Sequence, residues 1–160
     1  MGNYLSYKGV KIALEKWSQG DPNIKSFGFG PIFDANGKIK TEQVYPAMWV
    51  TPTNTSPTIT QNGMITINRS YQILFYDTKL ADNTNELQVQ SDMEELCIRF
   101  IKWCMNANDP EINIITNPSW VPFSDKFLDD VAGQMMTITI ELTGDMACDD
   151  PNTNPVINFL

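Results

Sequence analysis

The side chains able to do chemistry in this chain are few and scattered. Histidine is absent, which removes the group that most often moves protons near neutral pH and most often binds metals. Ser-His-Asp, Cys-His and histidine-based metal sites are excluded with it. Carboxylates stand together at Asp129-Asp130, at Asp149-Asp150 and at Asp92, Glu94 and Glu95. Paired carboxylates can hold a hard cation, yet each group has a plainer role. The first suits a solvated turn into a strand, the second lies in a Pro/Asn/Asp-rich tail, and the third fits the acidic first turns of a helix. Asp34-Ala35-Asn36-Gly37 resembles the opening of a calcium loop, but Ile39 and Tyr45 stand where that loop needs Gly and Glu. Cys97 and Cys104 fall seven apart on an apolar helical stripe, about 10 Å along the axis and beyond disulfide reach. With Cys148 they read as reduced thiols, the first two packing as small hydrophobes. Phe27-Gly28-Phe29-Gly30 has neither the spacing nor the lysine of a phosphate loop. No catalytic group, cofactor or metal is expected.

The 160 residues suffice for one compact domain, which we place at 1–144, followed by an extended C-terminal tail at 145–160. Eleven basic against nineteen acidic residues give a net charge of −8, the wrong sign for neutralising phosphates along DNA or RNA. No run approaches the roughly 20 apolar residues that span a bilayer, so no membrane contact is expected. The start of the chain lacks the basic and then apolar pattern of a secretory signal.

The elements that must position these side chains follow from periodicity. Leu5, Val10, Ala13, Leu14 and Trp17 mark an amphipathic helix from Tyr4 to Ser18, stopped at Gly20-Asp21-Pro22. About twenty residues of loop then carry Phe27, Phe29 and Phe33, three rings that are unfavourable to leave in water. Val44–Val50 reads as a short strand, with Pro46 indicating a sheet edge or a bulge. Thr51–Thr58, polar and containing Pro52 and Pro57, cannot pack a core and predicts a long hairpin arm around 51–63. Ile65, Ile67, Tyr71, Ile73 and Phe75 alternate with polar residues in a long half-buried strand from Met64 to Asp77. Arg69 alone interrupts that face, suggesting a bulge or the point where the strand leaves its core. Val89, Met93, Leu96, Cys97, Phe100, Ile101 and Cys104 define the principal core helix, starting with Asn85 and Gln88 or with Ser91 and Glu94 as its cap pair. Glu95 and Arg99 are placed to interact at i, i+4. Glu111–Thr116 reads as a strand, 117–123 as an irregular link, and Met136–Leu142 as a last strand. The fold class is therefore α+β, an antiparallel or mixed sheet with a long hairpin and helices packed on one face.

What remains is surface suited to a partner: Phe27, Phe29 and Phe33 in the loop, Pro46 at the edge, Pro52, Pro57 and Ile59 on the arm, Arg69 on the long strand, and Phe159 and Leu160 at the tip of the tail. Each could instead fold back on its own domain. The first helix, the strand pair joined by a long hairpin, the helix opening Asn85-Glu86-Leu87-Gln88-Val89-Gln90-Ser91-Asp92-Met93-Glu94, and the strand through Gly133-Gln134-Met135-Met136-Thr137-Ile138-Thr139-Ile140 resemble the tail-terminator and tail-completion proteins of tailed bacteriophages. The resemblance covers roughly residues 4–143 and lies in topology and texture. The Asn- and Ile-rich composition also resembles that of AT-rich phages such as the crAss-like group. The resemblance implies a structural virion protein, not an enzyme. It would be made in the bacterial host cytoplasm and form a ring of six or twelve copies at the neck or tail, touching other phage neck and tail proteins, with genomic DNA as passing cargo. An acidic lumen would keep DNA mobile by repelling phosphate. The rival expectation is a small acidic phage-encoded protein that binds and inhibits a host factor; it predicts clustered exposed carboxylates, whereas here the acids are spread along the chain.

Overall fold

The structure, a computed structural model, describes residues 7–31, 44–59, 65–106, 113–114, 117–125 and 130–144. Helix α1 spans Tyr7–Gly20 and is followed by strands β1 (Ser26–Phe29), β2 (Ala47–Ile59) and β3 (Ile65–Thr78). Helix α2 spans Glu86–Asn106, and β4 (Asn113–Ile114), β5 (Ser119–Asp125) and β6 (Val131–Gly144) complete the order. The described strands form one mixed sheet ordered β1-β2-β3-β6. The outer edge of β6 is shared end to end, β5 pairing with 131–137 and β4 with Ile140 and Glu141. β1 runs parallel to β2, and the other pairs are antiparallel. The α+β class with helices on a mixed sheet is as expected from the sequence.

Strand alternation sorts the core into two layers. Met48 and Val50, Tyr71, Ile73 and Phe75, and Met136, Ile138 and Ile140 face the helices. There they meet Val10 and Leu14 of α1 and the α2 stripe Val89, Met93, Leu96, Cys97, Phe100 and Cys104. Trp17 of α1 sets its ring edge-on to both Phe100 and Phe75, at 5.0 and 6.0 Å. The other face holds a second cluster of Ala47, Trp49, Leu74, Tyr76 and Val131, with Tyr45, Phe123 and Met135 against it. One end of the sheet is thus buried on both faces. Gly133 lies tight against β3: a Cβ there would run into the carbonyl oxygen of Phe75.

Several elements differ from the periodicity. The aromatic loop contains β1, held beside β2 by Lys25 N donating to Pro46 O and Gly30 N donating to Val50 O, at 2.8 and 2.9 Å. Its four residues carry no local strand signal because a parallel partner 21 residues further along the chain supplies the order. The strand expected at Val44–Val50 begins at Ala47 and continues to Ile59, so Pro46 precedes it. Over 47–50, β2 is flanked by both β1 and β3, and the sheet edge expected at Pro46 is not there. The bulge expected at Arg69 lies on the opposite strand, between Pro52 and Asn54. The irregular link expected at 117–123 is largely β5, whose Pro122 is tolerated on an outer strand where a missing N–H need break no ladder.

Helix α2 starts at Glu86, which removes Ser91 as a cap. Asn85 stands before it but turns its side-chain oxygen to the N–H of Leu80, at 2.7 Å. Lys79 fastens this corner: its ammonium donates to Asn83, Glu86 and Ser124 at 2.6, 3.1 and 2.7 Å, joining β3, α2 and β5. Lys79 therefore holds the Glu86 carboxyl below its ordinary range. Arg99 pairs with Asp21 after α1, at 3.4 Å, in place of the expected Glu95. No described helix is long and apolar enough to cross a membrane.

Candidate partner-binding surface

Beyond Val50 the surroundings of β2 change. β1 has ended, and Thr53–Ile59 are all exposed. β3 continues beside β2 to Ile65, and β6 accompanies β3 over its whole length to Gly144. The expected hairpin arm is thus a three-stranded ribbon of β2, β3 and β6, continuous with the core sheet and flanked at Ile140 and Glu141 by the two residues of β4.

Pro52 and Pro57 sit within β2, and the bulge explains how. Val50 turns its carbonyl away from β3, toward Gly30. Alternation gives Pro52 the same outward side. Thr53 has no partner on β3, and this extra residue shifts the phase by one, so that Pro57, opposite Ile67, also turns its nitrogen outward. Both prolines therefore keep their missing donor out of the β2–β3 ladder. They also leave gaps in the row of donors that another strand would need to pair with this edge.

The ribbon has unlike faces. One is polar, with Ser70 and Thr139 sharing a hydrogen bond of 2.8 Å across β3 and β6. The other continues the helix-side face and carries Thr55, Pro57, Ile59 and Arg69. Ile59 is 72 % exposed. Arg69 is 7 % exposed, its guanidinium carbon 4.0 Å over the ring of Tyr7 at the start of α1. The Tyr7 hydroxyl shares a 2.6 Å hydrogen bond with Thr55, so helix, ring and ribbon close over the arginine stem. Nε and Nη1 of Arg69 find no hydrogen-bond partner among the described residues. Among the described residues no carboxylate pairs with it. Beside it Tyr71 is buried on β3, and burial pushes its phenol up to about 12, against the opposing pull of the Arg69 charge. The guanidinium is thus held by a ring and, among the described residues, met by no acid, an arrangement that costs stability in a buried cation.

Of the residues singled out from sequence, Pro52, Pro57, Ile59 and Arg69 meet on this ribbon. Phe27 and Phe29 lie apart from it along β1, half-buried against the helix-side core, with Phe29 6.4 Å from Tyr71. Pro46 lies at the start of β2, away from the ribbon. Phe33, Phe159 and Leu160 lie outside the described residues, as do positions 60–64 of the expected hairpin and the whole of 145–160. Sequence reasoning passed over Tyr7 and Thr55, whose role depends on contacts distant in sequence that leave no periodic mark.

Cys97 and Cys104 are buried under α2, and burial pushes both thiols up to about 12, which keeps them protonated. Among the described residues no three acidic or cysteine side chains come together to hold a metal ion. The chain matches no protein-family model and no curated protein.

Proposed function

We propose that this chain is a structural virion protein of a tailed bacteriophage that assembles as a ring at the head–tail junction or tail, joining connector to tail around the passing DNA. The observation that carries the reading is the three-stranded ribbon. It extends a well-packed sheet into solvent, exposes Pro57 and Ile59, and buries a cation that no described carboxylate meets. A ring needs a heterologous contact, in which one patch of a subunit meets a different patch of the next. The proline-interrupted edge of β2 turns such a contact away from strand-to-strand pairing and toward the ribbon's face. The excess of carboxylates over basic groups suits a channel that must let DNA slide, since like charge keeps phosphate from sticking.

Electron microscopy of purified virions with mass spectrometry of their proteins tests the proposal. The expected result is multiple copies of this chain in a ring at the neck or tail, with the symmetry read directly. Absence of the chain from virions would overturn it and direct attention to a host factor, sought by pull-down from infected cells.

A further inference from the structure

Away from the ribbon, the first half of α2 and the strand β5 enclose a groove of about 380 Å3, lined by Leu87, Gln90, Ser91, Glu94, Trp120 and Gln134. Its two amides and its indole each donate to an acceptor of the chain. The indole of Trp120 donates to Glu94 Oε1 at 3.0 Å. The Gln90 amide donates to the Phe123 carbonyl and to Glu86 Oε1, at 3.3 and 3.4 Å. The Gln134 amide donates to the Gln90 carbonyl at 3.0 Å. Beside the Ser91 hydroxyl, which can donate or accept, two acceptors are left over. Gln134, 5 % exposed, has its Oε1 buried without a donor. Glu94, on the exposed side of α2, keeps a second carboxylate oxygen to which no described residue donates.

A group filling this groove must bring donors, and a positive charge would meet the Glu94 carboxylate. The half-buried Trp120, which lines the groove, favours a flat cation. A guanidinium meets all three demands, because it is planar, permanently charged and carries N–H donors in a fixed fork. The chain itself has two arginines, Arg69 and Arg99. Arg69 is buried under Tyr7. Arg99 is engaged by Asp21 and by the Asn23 amide oxygen, which accepts from both Nη atoms at 2.8 and 2.9 Å in the orientation that gives each amide atom a partner. A second copy of this chain therefore has no free arginine among its described residues to offer. We infer that the α2–β5 groove is a docking site for an arginine side chain of a different protein. This goes beyond the ring reading and does not depend on it.

The test is a titration of the 15N-labelled full chain, following the Trp120 indole N–H resonance by NMR. Three capped tripeptides serve as probes, Gly-Arg-Gly, Gly-Lys-Gly and Gly-citrulline-Gly. The expected result is a saturable shift with the arginine peptide at an affinity at least about fivefold above the other two. That shift should be lost in Glu94→Gln and kept in Glu95→Gln, which alters a neighbouring carboxylate outside the groove. Three results would overturn the inference: no shift, an equal response to the lysine or citrulline peptide, or equal loss in both variants, which would mark a diffuse charge effect.

Discussion

The same three strands, β2, β3 and β6, run through two regions of unlike character. At the base Trp49, Tyr76, Phe75 and Met136 are sealed between two layers. In the ribbon one face is lined by serine, threonine and asparagine and the other is largely open. The prolines of β2 fall in the ribbon and none in the base. That distribution follows from pairing: over 47–50 the outward groups of β2 belong to β1, and a proline there would remove a ladder donor. Stability therefore resides at the base, and the ribbon is free to vary its surface without loss of the fold. Substitutions that respect this division should separate folding from contact.

The largest effect is expected from Phe100→Ala. Its ring is fully buried among Trp17, Phe75 and Trp103, and a cavity there should cost about 3–5 kcal/mol, read from the urea midpoint. A loss below about 1 kcal/mol would mean that the base does not hold the fold as described.

Alkaline pH should strike the same region. Cys97 and Cys104 shift from 9.0 to about 12 and Tyr71 from 10.0 to about 12, all chiefly through burial. Each raised pKa belongs to a group neutral in its protonated form, so the unfolded chain ionises first. The contribution of these three groups is constant below about pH 8 and falls as pH rises from about 9 toward 12, by up to about 1.4 kcal/mol per pH unit for each group. The double variant Cys97→Ala, Cys104→Ala should flatten that slope. An unchanged slope would show that the thiols do not carry it.

The division between base and ribbon also separates what was legible in the sequence from what was not. The core stripe of α2 and the alternation of β3 and β6 were readable because each buries one face along its whole length. Thr51–Thr58 was recognisable as surface because it is polar and holds two prolines. β1 and β5 escaped notice because they are short and have Pro or Gly within or beside them, and a long-range partner imposes their order. Arg69 stood out as a break in an apolar face, yet its burial depends on Tyr7 and Thr55, neither of which is close to it in sequence. The α2–β5 groove was invisible, since Glu94 looked like a helix-start acid and Trp120 lay in what read as an irregular link.

Gly28→Ala should have an intermediate effect. A Cβ on Gly28 would enter the ring of Trp49, which packs on that glycine and donates its indole N–H to Gly30 O at 3.1 Å. The ring cannot move without losing that bond, so a loss of about 1–3 kcal/mol is expected in denaturant titration. A neutral result would mean that the second layer is loosely packed and the two regions are less distinct.

Arg69→Met marks the boundary between the regions. Removing a buried cation that no described carboxylate meets, while keeping its stem, should leave stability equal or raise it by about 1 kcal/mol. It also removes the charge that favours ionised Tyr71, so the phenol should titrate still higher, measurable by ultraviolet absorbance. A loss above about 2 kcal/mol would instead reveal that the guanidinium has a partner within the chain, and would move Arg69 from the proposed contact surface into the fold's own framework.

The smallest effect on folding belongs to Ile59→Ser. The side chain is 72 % exposed near the end of β2, and a surface change of this kind should alter stability by less than about 0.5 kcal/mol. Its consequence is expected elsewhere: if the ribbon face is a ring contact, the variant should fold normally yet enter virions in reduced amount, measured by mass spectrometry of particles made with the variant chain. Normal incorporation beside normal folding would show that Ile59 is idle surface and would confine the contact to the patch around Arg69, Tyr7 and Thr55. A variant that fails to fold would break the comparison itself, because it would place part of the fold's stability at the far end of the ribbon.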